Sequence, residues 1–363
     1  MRILIATGGT GGHIYPAISL AEAIKDLHEN TEMLFIGTSD HMEATMIPNA
    51  GFSFKSIKAS GLKGNMFMQV AAAFKLYSAV SECTMIIKEF KPDIVIGFGG
   101  YVSVPVIIAA SKLKIPTILH EQNAYAGRAN LFLEKYATAI VVSYEEAYRQ
   151  FSKKPVFLLG NPRVYQVKKQ ETTDVINEYG LNKEKPIVMF VMGSQGSNSV
   201  NNIMLNVLQN LRNKPYQVLY VTGNYYYESF IERFRTNENI VVVPFVEQTE
   251  MLQHVSLIVT RGGATTATEI CAFNVPSIII PSPYVPNNHQ EINAQALVNR
   301  KAAFMIRENE LTTDKLIDQI DKIMEEPSLQ HSMSQNAKAL CFINAAEDII
   351  KLMEKVVNKV DLK

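Results

Sequence analysis

The chain has 363 residues, enough for two domains of ordinary size. Apolar residues make up 47% and charged residues 19%, which provides for a sizeable core and excludes a disordered chain. Lys plus Arg equal Asp plus Glu at 35 each, which excludes a nucleic-acid binder held by bulk charge, so any basic partner surface has to be local.

The chain opens on a buried-type strand, Ile3 to Ala6, that runs into the turn Gly8-Gly-Thr-Gly-Gly12 and then a helical pattern bearing His13. Glycines admit φ > 0 and close ligand approach, and the N–H groups and positive dipole end of the following helix favour anionic or electron-rich groups. Gly9-x-Gly11 is followed by Ile14 where the dinucleotide fingerprint has its third glycine, which counts against a nicotinamide or flavin site. The single Arg and short apolar strand before the glycines do not read as a signal peptide, and no apolar run approaches the ~20 residues that span a bilayer.

Further strands are expected at Met33 to Ile36, Ile94 to Gly97, Thr117 to Leu119 and Ala139 to Ser143, between helical patterns, which implies a parallel sheet with right-handed crossovers. The text changes at Val156 to Leu159 and Gly160-Asn161-Pro162, where the domain junction is placed. A second α/β series begins at Ile187 to Met192, ends in Gly193-Ser194-Gln195-Gly196-Ser197, and continues through Val218 to Thr222, Ile240 to Pro244, Leu257 to Thr260 and Ser277 to Ile280. The expected domains are 1–162 facing acceptor and membrane, 163–340 binding a nucleotide sugar, and a helix within 341–363 packing back on the first. Ligands of open α/β sheets sit beyond the carboxyl ends of the strands, so a cleft between two doubly wound halves is the expected site. Cys83, Cys271 and Cys341 are odd in number and far apart, which suggests buried thiols and neither a disulfide framework nor a thiolate zinc site.

In the second half, Thr260-Arg-Gly-Gly-Ala264-Thr265-Thr266-Ala-Thr-Glu269 delivers two glycines and several hydroxyls to the start of a helix. Backbone N–H groups with threonine hydroxyls suit a pyrophosphate, and an ionised Glu269 suits the vicinal hydroxyls of a ribose. The bland alternative is a threonine-capped helix with a surface glutamate. Downstream, Asn288, His289 and Gln290 stand at the entry to another helix, as readers of sugar hydroxyls or as plain loop polars.

These residues together resemble the MurG family, the bacterial transferases that add N-acetylglucosamine to the undecaprenyl-linked muramyl-pentapeptide precursor of peptidoglycan. The likeness spans nearly the whole chain through Gly8-Gly-Thr-Gly-Gly-His13, Gly97-Phe-Gly-Gly-Tyr-Val-Ser103, His120-Glu-Gln-Asn123, Gly193-Ser-Gln-Gly196, Gly263 to Glu269 and His289-Gln290. It implies a GT-B fold and inverting transfer from UDP-N-acetylglucosamine to the C4 hydroxyl of the muramyl sugar of lipid I, giving lipid II. It further implies that Thr10, Gly11, Gly12 and Asn123 meet the donor sugar or the acceptor and that Ser194 meets the donor phosphates, with Gln195, Ala264, Thr265 and Thr266 as further substrate-binding candidates. Val246 would read uracil through its backbone, Glu269 the ribose and Gln290 the sugar. The family's Gly-Asn-Pro-Val-Arg stands here as Gly160-Asn-Pro-Arg163-Val164, so Arg163, a substrate-binding candidate, is displaced by one position.

Inverting transfer needs a base for the acceptor hydroxyl and stabilisation of the departing pyrophosphate. His13 is the expected base, with Glu121 as an alternative base or as the group that orients one. The chain has no Asp-x-Asp pair, and neither a tightly bound metal nor another cofactor is expected. A lipid-linked acceptor places the enzyme on the cytoplasmic face of the cell membrane, with cell-wall synthesis proteins as candidate partners. Between Lys55 and Lys91, six lysines stand against Glu82 and Glu89, a local excess of four positive charges, interleaved with Met66-Phe67-Met68. Lys63, Phe67 and Lys75 are the candidate contacts with an anionic lipid surface, the alternative being a buried helix with a solvated basic face. Another GT-B enzyme, such as a lipid glycosyltransferase or nucleotide-sugar epimerase, and a silent nucleotide-sugar-binding protein are the competing readings; dehydrogenase activity is a third.

Overall fold

The computed structural model describes residues 1–59, 66–170, 174–193, 197–235, 237–360 and 362, with only the backbone of 66–73 and Asn198. The chain divides into two compact units, Met1–Gln166 with Phe342–Lys363, and Val167–Cys341.

The first unit carries a seven-stranded sheet: β1 (Arg2–Ala6), β2 (Glu32–Gly37), β3 (Ser53–Ser56), β4 (Ile94–Gly97), β5 (Thr117–Glu121), β6 (Ala139–Val142) and β7 (Val156–Leu158). Its spatial order is β3-β2-β1-β4-β5-β6-β7, and every pairing is parallel. Strands covered on both faces read as unbroken apolar runs, and β1 shows why. Ile3 and Ile5 point into one layer, with Ile14 and Ile24 of the helix Gly11–Leu27 and with Ile349, Ile350 and Met353 of the last helix, Ala345–Val357. Leu4 and Ala6 point into the other, against Val102, Val106 and Ile107 of the helix Gly100–Lys112. Each fully buried side chain of this kind contributes roughly 1.5–3 kcal/mol, so the last helix is held to the first unit by several such contributions.

The second unit carries β8 (Ile187–Val191), β9 (Gln217–Val221), β10 (Ile240–Val243), β11 (Leu257–Thr260), β12 (Ser277–Ile279) and β13 (Ala303–Met305). Their order is β10-β9-β8-β11-β12-β13, again all parallel. The sequence expectation lacked the two edge strands β3 and β13. Ser53–Ser56 is part-exposed throughout and Ala303–Met305 has only three residues, so neither shows the continuous apolar run of a central strand.

In both sheets the direction of chain winding reverses once, between β1 and β4 and between β8 and β11. The loops that leave adjacent strands at such a point diverge to opposite faces and leave a crevice. Gly8–Gly12 meets Gly97–Gly100 at the first reversal, and Ser197 neighbours Arg261 at the second. Cys83, Cys271 and Cys341 are free thiols; the first two are buried, which pushes each up to about 12.

Candidate active site

At the first reversal, Thr10 is the extended N-cap of Gly11–Leu27, whose first turn, including Gly11 and Gly12, carries no acidic residue to offset its positive dipole end. His13 is half-buried there, its Nδ1 3.2 Å from the Gly8 carbonyl oxygen and 3.5 Å from Thr10 Oγ1. A carbonyl only accepts, so in the neutral ring the proton sits on Nδ1 and the lone pair on Nε2. The imidazole lies against Gly99 and Gly100, at φ 89° and 72°; a Cβ on either would stand 3.5 Å from a ring nitrogen. The positive φ at both positions, and not crowding against the ring, calls for glycine in the turn that closes over the histidine.

Glu121, at the end of β5 and 2% exposed, accepts from Asn123 N at 3.0 Å, Asn123 Nδ2 at 3.2 Å, Gly127 N at 2.9 Å and Asn130 Nδ2 at 2.8 Å. Both oxygens are thus engaged in folding the loop that presents Asn123. His120, fully buried beside the Phe98 ring, donates from Nε2 to the Gly160 carbonyl at 3.0 Å while Nδ1 accepts from Gln122 at 3.1 Å. Burial pulls its pKa down to about 4, so it is neutral and fixes the Gly160 turn to β5. Arg163, which follows that turn, is 7% exposed, with its guanidinium 4.8 Å above the Tyr15 ring and hydrogen-bonded to Gln166. These contacts place it within the first unit.

At the second reversal, Ser194 and Gln195 lie outside the described residues. Ser197 is the N-cap of the helix Asn198–Leu211. Arg261 donates to Ser197 Oγ at 2.5 Å and to the Ile280 carbonyl at 3.0 Å, and pairs with Glu308 at 2.7 Å, while Ser199 donates to Glu308 at 2.6 Å. This cluster, in which the Arg261 and Glu308 side chains are largely buried and Ser199 is exposed, joins the loops after β8, β11, β12 and β13. Gly263 caps the helix Ala264–Phe273, whose first turn holds Ala264, Thr265 and Thr266; the buried Thr265 hydroxyl has no hydrogen-bond partner among the described residues. Glu269, one turn on and 4% exposed, accepts from Gln248 at 2.5 Å. Val246 is 4% exposed, next to Phe245 at 61%, in the loop after β10. Gln290 accepts from Ser282 N at 2.9 Å, and Asn293 of the same helix donates to the Gly262 carbonyl at 3.0 Å. A Cβ on Gly262 would overlap the Gln290 carbonyl oxygen and stand 2.9 Å from its carbon, so the close approach of these two loops requires glycine.

Lys63 and the Phe67 side chain lie outside what the structure describes. Lys75 is exposed on the helix Met66–Phe90, beside Phe74 and Tyr77, each 73% exposed. It lines a mostly apolar cavity of about 490 Å³ with Leu76, Ala79, Tyr101, Pro105 and Phe132. Lys55 pairs with Glu89 at 2.7 Å, two opposite charges that the excess of four already sets against one another. Among the described residues, no helix is long and apolar enough to cross a membrane.

Two residues that organise these loops escaped the sequence reading, Glu43 beside Gly9 and the Arg261 guanidinium. Their partners are distant in sequence, so no local pattern marks them.

The glycosyltransferase family 28 N-terminal domain matches residues 3–142 and the family 28 C-terminal domain matches residues 187–353. A UDP-N-acetylglucosamine–N-acetylmuramyl-(pentapeptide) pyrophosphoryl-undecaprenol N-acetylglucosamine transferase of Halalkalibacterium halodurans is 41% identical over 98% of this chain and 99% of its own. The crystal structure of Acinetobacter baumannii MurG superposes with a TM-score of 0.78 at 26% identity, covering 98% of this chain and 99% of that one. A UDP-GlcNAc 2-epimerase from Neisseria meningitidis, bound to UDP-GlcNAc, gives a TM-score of 0.68 over 98% of this chain and 100% of that one, at 13% identity, a likeness of fold alone. With both domains matched and more than a third of positions identical across the full length, the chain belongs to the MurG family of N-acetylglucosamine transferases within glycosyltransferase family 28.

Proposed function

We propose that this chain moves N-acetylglucosamine from UDP-N-acetylglucosamine to the C4 hydroxyl of the N-acetylmuramyl sugar of lipid I, with inversion, forming lipid II. The observation that carries the reading is full-length membership of the family together with the glycine motifs at the reversal point of each sheet.

In the proposed reaction the acceptor O4 forms a bond to the anomeric carbon as the bond from that carbon to the β-phosphate oxygen breaks. His13 Nε2 takes the hydroxyl proton. The departing diphosphate gathers negative charge, which the N–H groups of Ala264, Thr265 and Thr266 and the loop of Ser194 and Gln195 stabilise in place of water. Glu269 accepts from the ribose hydroxyls, the Val246 backbone reads uracil, and Gln290 with Asn123, Thr10, Gly11 and Gly12 holds the sugars. Glu121 is assigned as the fastener of the Asn123 loop, since its two oxygens already serve four N–H donors. Arg163 is assigned to the packing of the Gly160 turn on Tyr15.

The acceptor's lipid requires contact with a membrane, and we assign this to the exposed Phe74, Lys75 and Tyr77 with the adjoining cavity, at the cytoplasmic face. Transfer of labelled N-acetylglucosamine to a lipid I analogue, in wild type and His13→Ala, tests the chemistry. Lipid II from wild type and a loss of about 10²-fold or more in the variant is expected; donor binding without transfer would overturn the assignment. Lys75→Glu should weaken binding to anionic liposomes, and unchanged binding removes the membrane assignment.

A further inference from the structure

The carboxylate of Glu43 lies under the glycine loop of the first unit and is fully buried. Its Oε1 accepts from Thr38 N at 3.1 Å and Thr38 Oγ1 at 2.6 Å, and its Oε2 accepts from Gly9 N at 3.1 Å. A Cβ on Gly8 would overlap this carboxylate, so the loop rests directly on it. Burial pushes the acid up, but the hydrogen bonds from the Thr38 hydroxyl and from backbone N–H groups outweigh it and hold the group below its ordinary value. Glu43 is therefore ionised.

Gly9 N–H and Gly8 C=O belong to the same peptide unit. A trans peptide is planar, with its N–H and C=O pointing to opposite sides. The side that faces Glu43 donates to it; the other side presents the carbonyl that lies 3.2 Å from His13 Nδ1. An anion on the N–H side polarises the amide and increases the negative charge on its oxygen, as in any chain of hydrogen bonds in a low-dielectric setting. It also stops the peptide from rotating, which Gly9 at φ 92° would otherwise permit. Carboxylate, peptide and imidazole thus stand in series.

We infer that Glu43 is a positioning residue that sets the Nδ1–H tautomer of His13 through the Gly8–Gly9 peptide, keeping the Nε2 lone pair available for the acceptor hydroxyl. The inference rests on the reading of His13 as the base. It assigns to an interposed peptide the part that a carboxylate plays when it bonds directly to a catalytic imidazole. Among the described residues, Tyr101 stands by Glu43, pushed up by burial with contributions from Glu43 and Asp40, and Asp40 in turn pairs with His41 at 4.0 Å. The His41 ring also lies edge-on to Tyr101 at 6.3 Å.

The test is ¹⁵N NMR of histidine-labelled protein at pH 7.5, with the His13 signals identified by their loss in His13→Gln, combined with transfer kinetics. In wild type, His13 should show a protonated Nδ1 and an unprotonated Nε2. In Glu43→Gln the neutral amide withdraws the polarising charge, so an Nε2–H population should appear. Its kcat should fall about ten- to a hundredfold, part of what a general base supplies, with KM for UDP-N-acetylglucosamine unchanged. Glu43→Asp, which retains the charge, should recover part of the Nδ1–H population and of kcat. An Nε2–H tautomer in wild type overturns the inference without any variant, and so does a folded Glu43→Gln protein whose tautomer is unaltered. Full kcat in His13→Gln would instead remove the base reading, leaving the tautomer result to stand or fall by itself.

Discussion

Lowering the pH should destabilise the first unit through His120, by an amount that its environment sets. The imidazole is fully buried, both nitrogens are hydrogen-bonded in the neutral form, and its pKa falls from 6.5 to about 4. The unfolded chain therefore takes up a proton near pH 6.5 that the folded chain refuses until about pH 4. A cation site with a depressed folded pKa contributes its full stability above the unfolded value and loses it as pH falls through the window between the two. With those two values, the loss relative to neutral pH is about 2 kcal/mol at pH 5 and about 3 kcal/mol at pH 4. Urea unfolding followed by far-ultraviolet circular dichroism at pH 7.5 and 5.0 gives the measurement, comparing wild type with His120→Gln. The variant retains a donor and an acceptor but does not titrate. Other groups titrate equally in both proteins, so the gap between them should narrow by about 2 kcal/mol on acidification. A gap of the same size at both pH values would show that His120 is not held neutral, and the argument from its burial would fail.

Gly262→Ala should force the start of the helix His289–Asn299 away from the loop after β11, because the new Cβ meets backbone and not a flexible side chain. We expect a loss of about 1–3 kcal/mol in the second unit and weaker UDP binding by calorimetry, while an unaltered dissociation constant would separate Gln290 from the nucleotide site. Glu121→Ala leaves four N–H donors without their acceptor, so a stability loss of about 2–4 kcal/mol should accompany any loss of transfer; a fully stable but inactive variant would return Glu121 to the role of base.

The central strands and the glycine motifs were legible in the sequence for one reason: each is a local pattern with a physical cause. A strand buried on both faces must be apolar along its buried run, and Ile3–Ala6 of β1, Ile94–Gly97 of β4 and 257–259 of β11 are. Turns at φ 89° and 72° require glycine, and Gly99 and Gly100 advertise it. In sequence, Glu121 reads as an alternative base or as the group that orients one; that it accepts from donors two, six and nine residues further on, at Asn123, Gly127 and Asn130, is visible only in the structure. Where the cause is not local, the pattern is absent. Glu43 reaches Gly9 only because β2 pairs beside β1, and Arg261 reaches Glu308 only because β11, β12 and β13 lie side by side.

The same sheet order explains why these unread residues cluster where the chemistry is proposed. At the reversal of winding, the loop after β1 lies against the start of the helix after β4, at Gly100 and Val102, and its peptide groups are further held by side chains from neighbouring elements. In the first unit that support is a carboxylate taking N–H groups from Gly9 and Thr38. In the second it is a guanidinium giving N–H groups to Ser197 and the Ile280 carbonyl, with its own charge matched by Glu308. The two differ in what they leave for a ligand. Glu43 stays anionic beneath the histidine loop, which suits a site that must gain a proton, whereas the Arg261–Glu308 pair is neutral overall beneath the proposed phosphate site. Attraction for the diphosphate then falls to N–H groups and helix ends. Replacing Glu308 by Gln would expose that difference: if Arg261 acts only as a strut, UDP binding weakens as the loops loosen, and if the guanidinium were a phosphate ligand held back by its partner, binding would tighten.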